Sequence, residues 1–194
     1  MESTRESTPL RVAVITASTR EGRFGPTVAR WFDEQAAQRD DLVLDLVDVA
    51  DAPPPSRLGT PAPDGFDEIT RTLQAADAFT VITCEYNHSF PGTLKNLIDT
   101  HYYEWRAKPV AFVSYGGVSG GLRSVEHLRG VFAELHAVTM RDTVSFHAPW
   151  NWFGEDGRPV DAEGAEAAAK GMLDQLTWWG HALRDARAAR PYGG

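Results

Sequence analysis

Five runs of apolar and β-branched residues are spaced along the chain, and segments with a helical repeat of apolar positions separate them. Continuous apolar runs of this length are typical of strands that are buried on both faces, as in a parallel sheet. The second run alternates apolar residues with Asp45 and Asp48, which favours an edge strand. The predicted strands are residues 11–16, 42–49, 78–84, 110–114 and 138–144.

The intervening segments place apolar residues three or four positions apart, which predicts amphipathic helices. The most regular segment lies near the C-terminus and connects Ala165, Ala169, Met172, Leu176, Trp179 and Leu183. Strands that alternate with helices along a whole chain indicate βαβ units with right-handed crossovers, so the predicted fold class is α/β. We predict one domain over residues 10–190, preceded by a disordered polar arm at residues 1–9.

Two segments interrupt this alternation. Residues 51–65 contain five prolines and two glycines, which exclude a helix or a central strand, so we predict a long loop. This loop either overhangs a site or is plain surface. Residues 147–161 hold Trp150, Trp152 and Phe153, which either pack in the core or border a pocket or a subunit contact.

Charge and cysteine content exclude several classes of protein. The 194 residues carry a net charge of −8, which argues against a general nucleic-acid binder because such proteins need a basic surface. The single cysteine, Cys84, permits no internal disulfide and no zinc cluster of cysteines. No apolar stretch reaches the ~20 residues of a membrane span, and the polar start is not typical of a secretory signal. We therefore expect a cytoplasmic protein without a membrane partner.

The loop that follows the first strand offers many hydrogen-bond donors. Its sequence, S-T-R-E-G-R-F-G at residues 18–25, leads into a helix N-terminus, where exposed amides favour an anion. The loop lacks the P-loop pattern G-x-x-x-x-G-K-[ST] and the dinucleotide pattern G-x-G-x-x-G. Its hydroxyls, amides and two arginines favour a terminal monophosphate, and the alternative is a capped helix with solvated arginines.

The loop after the fourth strand is rich in glycine. Residues 114–121 read S-Y-G-G-V-S-G-G, with four glycines in six positions. A tight turn needs one or two glycines, and each further glycine costs conformational entropy. We therefore favour a backbone that lies flat against a ligand and exposes its amides, over a simple strand-to-helix turn.

Polar and aromatic residues also follow the third strand, where Cys84 leads into Glu85, Tyr86, Asn87 and His88. Their amides and the Tyr86 ring could border a flat redox ring. Taken singly, Glu85 fits a surface or helix-capping carboxylate better than a catalytic one, and His88 fits a solvent-facing role as well as proton transfer. We predict no metal site and no serine-hydrolase elbow of the G-x-S-x-G type. Since the carboxyl ends of parallel strands share one edge, we expect the three loops to surround one ligand.

Taken in order, three motifs resemble those of the NADPH-dependent FMN reductase family: S-T-R-E-G-R-F-G, E-Y-N-H-S-F-P-G-T-L-K-N-L-I-D and S-Y-G-G-V-S-G-G. The resemblance covers about residues 10–185. It implies a flavodoxin-like three-layer sandwich with a five-stranded parallel sheet in the order 2-1-3-4-5, and FMN bound at its carboxyl edge. The family includes flavin, quinone, azo-dye and chromate reductases.

Transferred position by position, the family pattern implies three groups of cofactor-binding residues. The phosphate would be held by Ser18, Arg20 and the amides toward Phe24 and Gly25, and Arg23 would also bind the cofactor because it matches an arginine often found in one branch of the family. The isoalloxazine ring would be lined by Glu85, Tyr86, Asn87 and His88, and its pyrimidine end by Gly116 and Gly117 with Ser114 beside them. The family often has glycine where Ala17 stands and proline where Cys84 stands. The simplest interpretation of Cys84 is a small buried residue rather than a reactive thiol.

The resemblance further implies an NAD(P)H-dependent oxidoreductase with a ping-pong mechanism. Hydride would pass from NADPH or NADH to FMN N5 and then to a flat small-molecule acceptor, with no catalytic side chain required. A homodimer or homotetramer is expected, and Tyr102, Tyr103 and Trp105 fit an interface, an acceptor wall or core packing. Three alternatives stay open: an FMN electron carrier, a flavin reductase that supplies FMNH2 to a partner monooxygenase, and a flavin-free scaffold.

Overall fold

A parallel sheet with the strand order β2-β1-β3-β4-β5 forms the centre of the computed structural model, which describes residues 8–57 and 59–193. This is the order of the flavodoxin-like fold, which the family resemblance implied. Residues 1–7 of the predicted arm lie outside the described residues. The strands are β1 Leu10–Thr16, β2 Leu42–Asp48, β3 Ala78–Cys84, β4 Pro109–Gly116, β5 Val138–Thr139 and β6 Val144–His147.

Helices cover both faces of the sheet and complete three layers. The described helices are α1 Gly25–Ala36, α2 Phe66–Ala75, α3 Gly92–Thr100, α4 Leu122–Glu134, the single turn α5 Pro149–Trp152, and α6 Ala162–Ala189. One core contains apolar side chains of α1 and α6, such as Phe32 and Met172, and the other contains those of α2, α3 and α4, such as Leu97 and Phe132. Both faces of the central strands are therefore removed from water, which explains their continuous apolar sequence.

The fifth predicted strand, residues 138–144, is two short strands in the structure. β5 pairs with the start of β4, β6 pairs with its end, and both occupy the same lateral position. The chain leaves the ladder between them, where the Arg129 guanidinium donates to the carbonyl oxygens of Met140 (2.6 Å) and Arg141 (3.1 Å). Arg141 and Asp142 stay near solvent in this way, because a continuous strand would place one of these charges in the core.

The edge position predicted for the second strand is confirmed. β2 pairs with β1 alone among the described strands, and its Leu46 side chain is 63% exposed. Arg11 on β1 donates from Nε (2.6 Å) and Nη2 (2.8 Å) to the carboxylate of Asp45, which lies opposite Ala13, two residues further along β1. Charged groups along this edge discourage pairing with another sheet.

Close backbone packing at the carboxyl edge requires glycine at two positions. A β-carbon on Gly25, the first residue of α1, would lie 3.0 Å from both Thr16 Cγ2 and Tyr115 Oη. Gly121, before α4, has a φ of +85°, and a β-carbon there would lie 2.8 Å from Ser114 Cβ and 2.9 Å from the Tyr115 nitrogen. These glycines let the starts of α1 and α4 approach the strand ends. No described helix is long and apolar enough to cross a bilayer.

Candidate functional site

The loops after β1, β3 and β4 meet at the carboxyl edge of the sheet, as the sequence predicted. Ser18 Oγ and Tyr86 Oη form a hydrogen bond of 2.7 Å, which joins the first loop to the second. The Glu85 carboxylate accepts hydrogen bonds from Ser119 Oγ and from Arg123 Nη1 (3.0 Å), which joins the second loop to the third. These residues thus form one connected site, although Ser18 and Arg123 are 105 positions apart in the chain.

The first loop presents donors that the protein itself does not use. Ser18 is fully buried, and the backbone amides of residues 18–22 donate to no backbone carbonyl of the described chain. Residues 20–22 are exposed, so their amides are open to solvent and can donate to an anion supplied from outside the chain. The guanidinium carbon of Arg20 lies 3.7 Å from the centroid of the Tyr86 ring. This contact holds the positive charge of the first loop against the second loop.

Two residues assigned to the phosphate have partners within the protein. Arg23 Nη2 donates to Asp48 Oδ2 at 2.5 Å, and the buried Arg23 Nε has no hydrogen-bond partner among the described residues. Phe24 packs its ring against Tyr115 and Phe153, with centroids 6.2 and 5.4 Å apart. The side chains of Arg23 and Phe24 therefore anchor the loop in this structure, and a direct role for Arg23 toward the phosphate stays a prediction.

The second loop is a tight two-residue turn. The Tyr86 amide donates to the Ser89 carbonyl (2.8 Å), and the Ser89 amide donates back to the Tyr86 carbonyl (3.1 Å). Asn87 and His88, the two residues at the centre of the turn, have φ values of +51° and +70°. These values lie in the left-handed region, which residues other than glycine rarely adopt. Both residues are exposed, and their amides bond to no backbone carbonyl of the described residues. Strained backbone of this kind is concentrated at ligand sites.

Glu85 connects the loops and is not a surface carboxylate, which corrects the interpretation of this residue taken singly. Its side chain is only 9% exposed, and its amide donates to the Tyr115 carbonyl at 3.2 Å. Burial acts to raise the pKa of this carboxyl, but the hydrogen bonds from Ser119 and Arg123 outweigh burial and lower the pKa below its ordinary value. Glu85 is therefore ionised at neutral pH and holds the second and third loops together.

The third loop combines an inward serine with outward glycines. Ser114 is fully buried, and its Oγ donates to the Gly120 carbonyl at 2.9 Å, so this side chain shapes the loop rather than reaching outward. The amides of Gly117 and Val118 donate to no backbone carbonyl of the described chain. Trp150 borders this segment, since a β-carbon on Gly117 would lie 3.9 Å from Trp150 Cη2. The backbone at Gly117 is therefore open to a flat ligand, and the exposed Val118 side chain follows it in the chain.

The expectation of no serine-hydrolase elbow needs a correction, because Gly117–Gly121 does match the pattern G-x-S-x-G. The geometry does not support nucleophilic catalysis. Ser119 donates its hydroxyl to Glu85, a carboxylate already bound by Arg123, and makes no hydrogen bond to a histidine among the described residues. A hydrolytic serine needs a base that is free to take its proton, and an ionised carboxylate with a lowered pKa is a weak base.

The sequence reasoning missed three residues that shape the site, Tyr115, Ser119 and Arg123, whereas it named Trp150 among the aromatics that either pack in the core or border a pocket or a subunit contact. Tyr115 is 5% exposed and lies opposite Cys84 in the β3–β4 ladder. Burial and the neighbouring Cys84 raise the pKa of the Tyr115 hydroxyl, and the same two causes raise the pKa of Tyr86. Cys84 itself is buried, as interpreted from the sequence. The position of Arg123 in the first turn of α4, behind the glycines, was the available signal for that residue.

Comparison with known proteins identifies the class of protein. Residues 10–151 match the family described as NADPH-dependent FMN reductase. The chain belongs to this family. It is an oxidoreductase of the NAD(P)H-dependent FMN reductase and quinone reductase type, with FMN as its cofactor and NAD(P)H as its co-substrate.

Several known proteins are similar over most of the chain. A probable NADPH:quinone oxidoreductase 2 of Oryza sativa subsp. japonica is 34% identical over 176 residues, which is 84% of this chain and 85% of the relative. A quinone reductase of Escherichia coli strain K12 is 31% identical over 185 residues, or 88% and 92% of the two chains. Among solved structures, the flavoenzyme NAD(P)H:(acceptor) oxidoreductase FerB of Paracoccus denitrificans has a TM-score of 0.70 and 26% identity, and the match covers 90% of this chain and 98% of that one.

Proposed function

We propose that this protein reduces flat organic acceptors, of which quinones are the best supported class, by a ping-pong reaction with NAD(P)H. The single observation that carries the proposal is the joined set of three loops whose unpaired amides face one sheet edge. The similar proteins from rice and Escherichia coli carry names that refer to quinones, which favours this acceptor class over azo dyes and metal oxyanions.

The first loop would hold the phosphate of FMN. The unpaired amides of residues 18–22 and the N-terminus of α1 supply a directed set of donors, and Arg20 adds a positive charge. The hydroxyl of Ser18 is fixed by Tyr86, so the loop enters binding already ordered. An ordered loop loses less entropy on binding than a mobile one and therefore binds more tightly.

The second and third loops would hold the flavin ring. The exposed amides of Asn87, His88, Gly117 and Val118 are suited to the polar atoms of its pyrimidine part. When bound, FMN supplies the two-electron chemistry between the nicotinamide and the acceptor. Amides directed at the ring stabilise negative charge that develops on it, so no acid or base side chain is needed for that purpose.

The rim of the site favours alternating occupation by two flat molecules. Val118 in the glycine loop is 88% exposed, and Trp150, which lies beside this loop, is 64% exposed. An open apolar rim accepts either a nicotinamide or a quinone, but one such surface does not accommodate both at once. We also propose that a second copy of the chain covers part of this rim in a homodimer, and a cytoplasmic location stays a prediction from the sequence.

The test is a titration of the purified chain with FMN, followed by anaerobic addition of NADPH or NADH. FMN fluorescence should be quenched on binding, and the flavin absorption should bleach when the nicotinamide is added. Arg20→Ala should weaken FMN binding roughly tenfold, as expected for one charge-assisted contact. Arg141→Ala is the matched control, because the Arg141 side chain is 90% exposed and its ion pair is with Asp142.

The kinetic test uses benzoquinone as the varied acceptor at several NADPH concentrations. Parallel double-reciprocal lines are expected for ping-pong turnover. Intersecting lines would show that both molecules bind together, contrary to the proposal. Bleaching without turnover on any acceptor would indicate an electron carrier, and release of reduced FMN into solution would indicate a reductase that supplies a partner monooxygenase.

A further inference from the structure

A second cluster of functional groups lies at the amino edge of the sheet, away from the flavin loops. Arg106, Lys108 and Arg187 line one pocket of about 520 Å³ together with the rings of Tyr103 and Tyr192. Lys108 precedes the first residue of β4, whereas the glycine loop starts at its last residue. An eight-residue strand separates the two regions by about 23 Å, at roughly 3.3 Å per residue.

Arg106 lies among three tyrosine rings, and Glu104 lines the same pocket. Its guanidinium carbon lies 5.3 Å from the centroid of the Tyr102 ring, 5.4 Å from that of Tyr103 and 5.6 Å from that of Tyr192. Its Nε is buried and has no hydrogen-bond partner within residues 8–57 and 59–193. Aromatic faces stabilise a cation but accept no strong hydrogen bond, so a buried guanidinium N–H here still lacks an acceptor.

Two more cations approach the same pocket from its inner side. Lys108 is 8% exposed, and its Nζ donates to the carbonyls of Leu73 and Gln74, both at 3.2 Å. Arg187 Nη1 donates to the Ala107 carbonyl. Burial, together with the charge of Arg187, lowers the pKa of Lys108 to about 8, and the charges of Asp77 and Glu104 offset only part of this effect.

Two carboxylates compensate part of this positive charge. Glu104 lines the pocket and accepts a hydrogen bond from Gln74 Nε2 at 3.3 Å, and Asp77 is shared between Arg184 (3.3 Å) and Arg187 (3.7 Å). The three cations of the pocket therefore outnumber these carboxylates, in a protein whose net charge is −8. Carbonyl dipoles orient the lysine but add no negative charge, so an anion from outside would relieve the repulsion.

We propose that this pocket binds a small aromatic oxyanion, whose phosphate or carboxylate group contacts Arg106, Lys108 and Arg187 and whose ring lies against Tyr103 and Tyr192. The Tyr103 side chain is 75% exposed and forms an open wall, which leaves room for a ring beside it. The site is independent of the flavin site and does not rest on the proposed acceptor.

The experiment is isothermal titration calorimetry of the full chain, in excess FMN, with phenyl phosphate. We expect one saturable site, and Arg106→Gln should weaken it roughly tenfold, the effect of one charge-assisted hydrogen bond. Arg141→Gln is the control and should bind as the wild type does. Tyr103→Ala should weaken phenyl phosphate but not inorganic phosphate, because it removes only the ring contact. Benzoate tests whether a carboxylate substitutes for the phosphate, and benzyl alcohol should not bind.

Four results would overturn the proposal. The first is an absence of saturable heat with either oxyanion. The second is loss of phenyl phosphate binding in Arg20→Ala but not in Arg106→Gln, which would place the ligand in the flavin phosphate loop. The third is equal weakening by Arg106→Gln and Arg141→Gln. The fourth is a change of oligomeric state in Arg106→Gln without a change in binding, which would make the pocket an interface between copies. Circular dichroism verifies that each variant is folded.

Discussion

The two edges of the sheet present hydrogen-bond donors and positive charge by different means. At the carboxyl edge, the donors are backbone amides of the three loops, and the side chains there mostly bond to one another, as Glu85 does with Ser119 and Arg123. At the amino edge, the positive groups are the long side chains of Arg106, Lys108 and Arg187. A site built from backbone depends on conformation, and a site built from side chains depends on charge and burial. Substitutions should therefore affect the two edges differently.

The largest effect is expected from Gly121→Ala at the carboxyl edge. The new β-carbon would approach Ser114 Cβ at 2.8 Å with a φ of +85°, so we expect a loss of about 2–4 kcal/mol of unfolding free energy. Gly130→Ala is the control, because no atom lies within 4 Å of its β-carbon position in α4, and it should stabilise by about 0.5–1 kcal/mol. Urea unfolding measures both. Equal effects would show that backbone geometry at this edge is not restrictive.

At the amino edge, Lys108 should make stability depend on alkaline pH. The pKa of Lys108 is lowered from 10.5 to about 8, so between these values the unfolded chain binds a proton that the folded chain has released. Stability should then rise with pH across this window, by about 3 kcal/mol for a shift of this size. Lys108→Met should lack this rise, and Lys170→Met, at a side chain 76% exposed, should retain it. Urea unfolding at pH 7.5 and pH 10.5 compares the three proteins, and parallel behaviour of Lys108→Met and the wild type would contradict the prediction.

A smaller effect is expected from Glu85→Gln, the exception where a charge organises the carboxyl edge. The pKa of Glu85 is lowered in the folded state, so its ionised carboxylate stabilises the fold fully at pH values above the ordinary pKa near 4.5. This contribution to the free energy of unfolding is lost as the pH falls through the lowered pKa. At pH 7 the substitution should lower the free energy of unfolding by about 1.5–3 kcal/mol, which is the contribution of a hydrogen bond to a charged group. The exposed Glu126→Gln is the control. Thermal unfolding at pH 7 and pH 3 tests whether the difference between variant and wild type shrinks in acid.

The smallest effect is expected from His88→Gly. The residue has a φ of +70° in a two-residue turn, where Asn-Gly is the preferred pair, so glycine should stabilise by up to about 1 kcal/mol. FMN affinity should change little, because the exposed amides are retained. A large loss of FMN binding would instead show that the imidazole contacts the cofactor.

Several features of the molecule were determined by the sequence alone. The apolar runs and their periods predicted the α/β class and the edge position of β2, because burial on one or two faces leaves a direct trace in residue pattern. The Glu85–His88 cluster located the second loop, and the density of glycines located the third. Backbone conformations that most residues avoid require particular residues, so these loops can be recognised in the sequence. The motif order was specific enough to indicate the family before any contact was known.

Tertiary structure decided how the side chains were used. Ser114 and Arg23 carry polar groups suited to a ligand, yet one bonds to Gly120 and the other to Asp48. The split of the fifth strand depended on Arg129, which lies on α4. The cluster of Arg106 with Arg187 joins residues 81 positions apart, which no local pattern reports. Periodicity records whether a position is buried, but the partner of a buried polar group is fixed only when distant segments pack together.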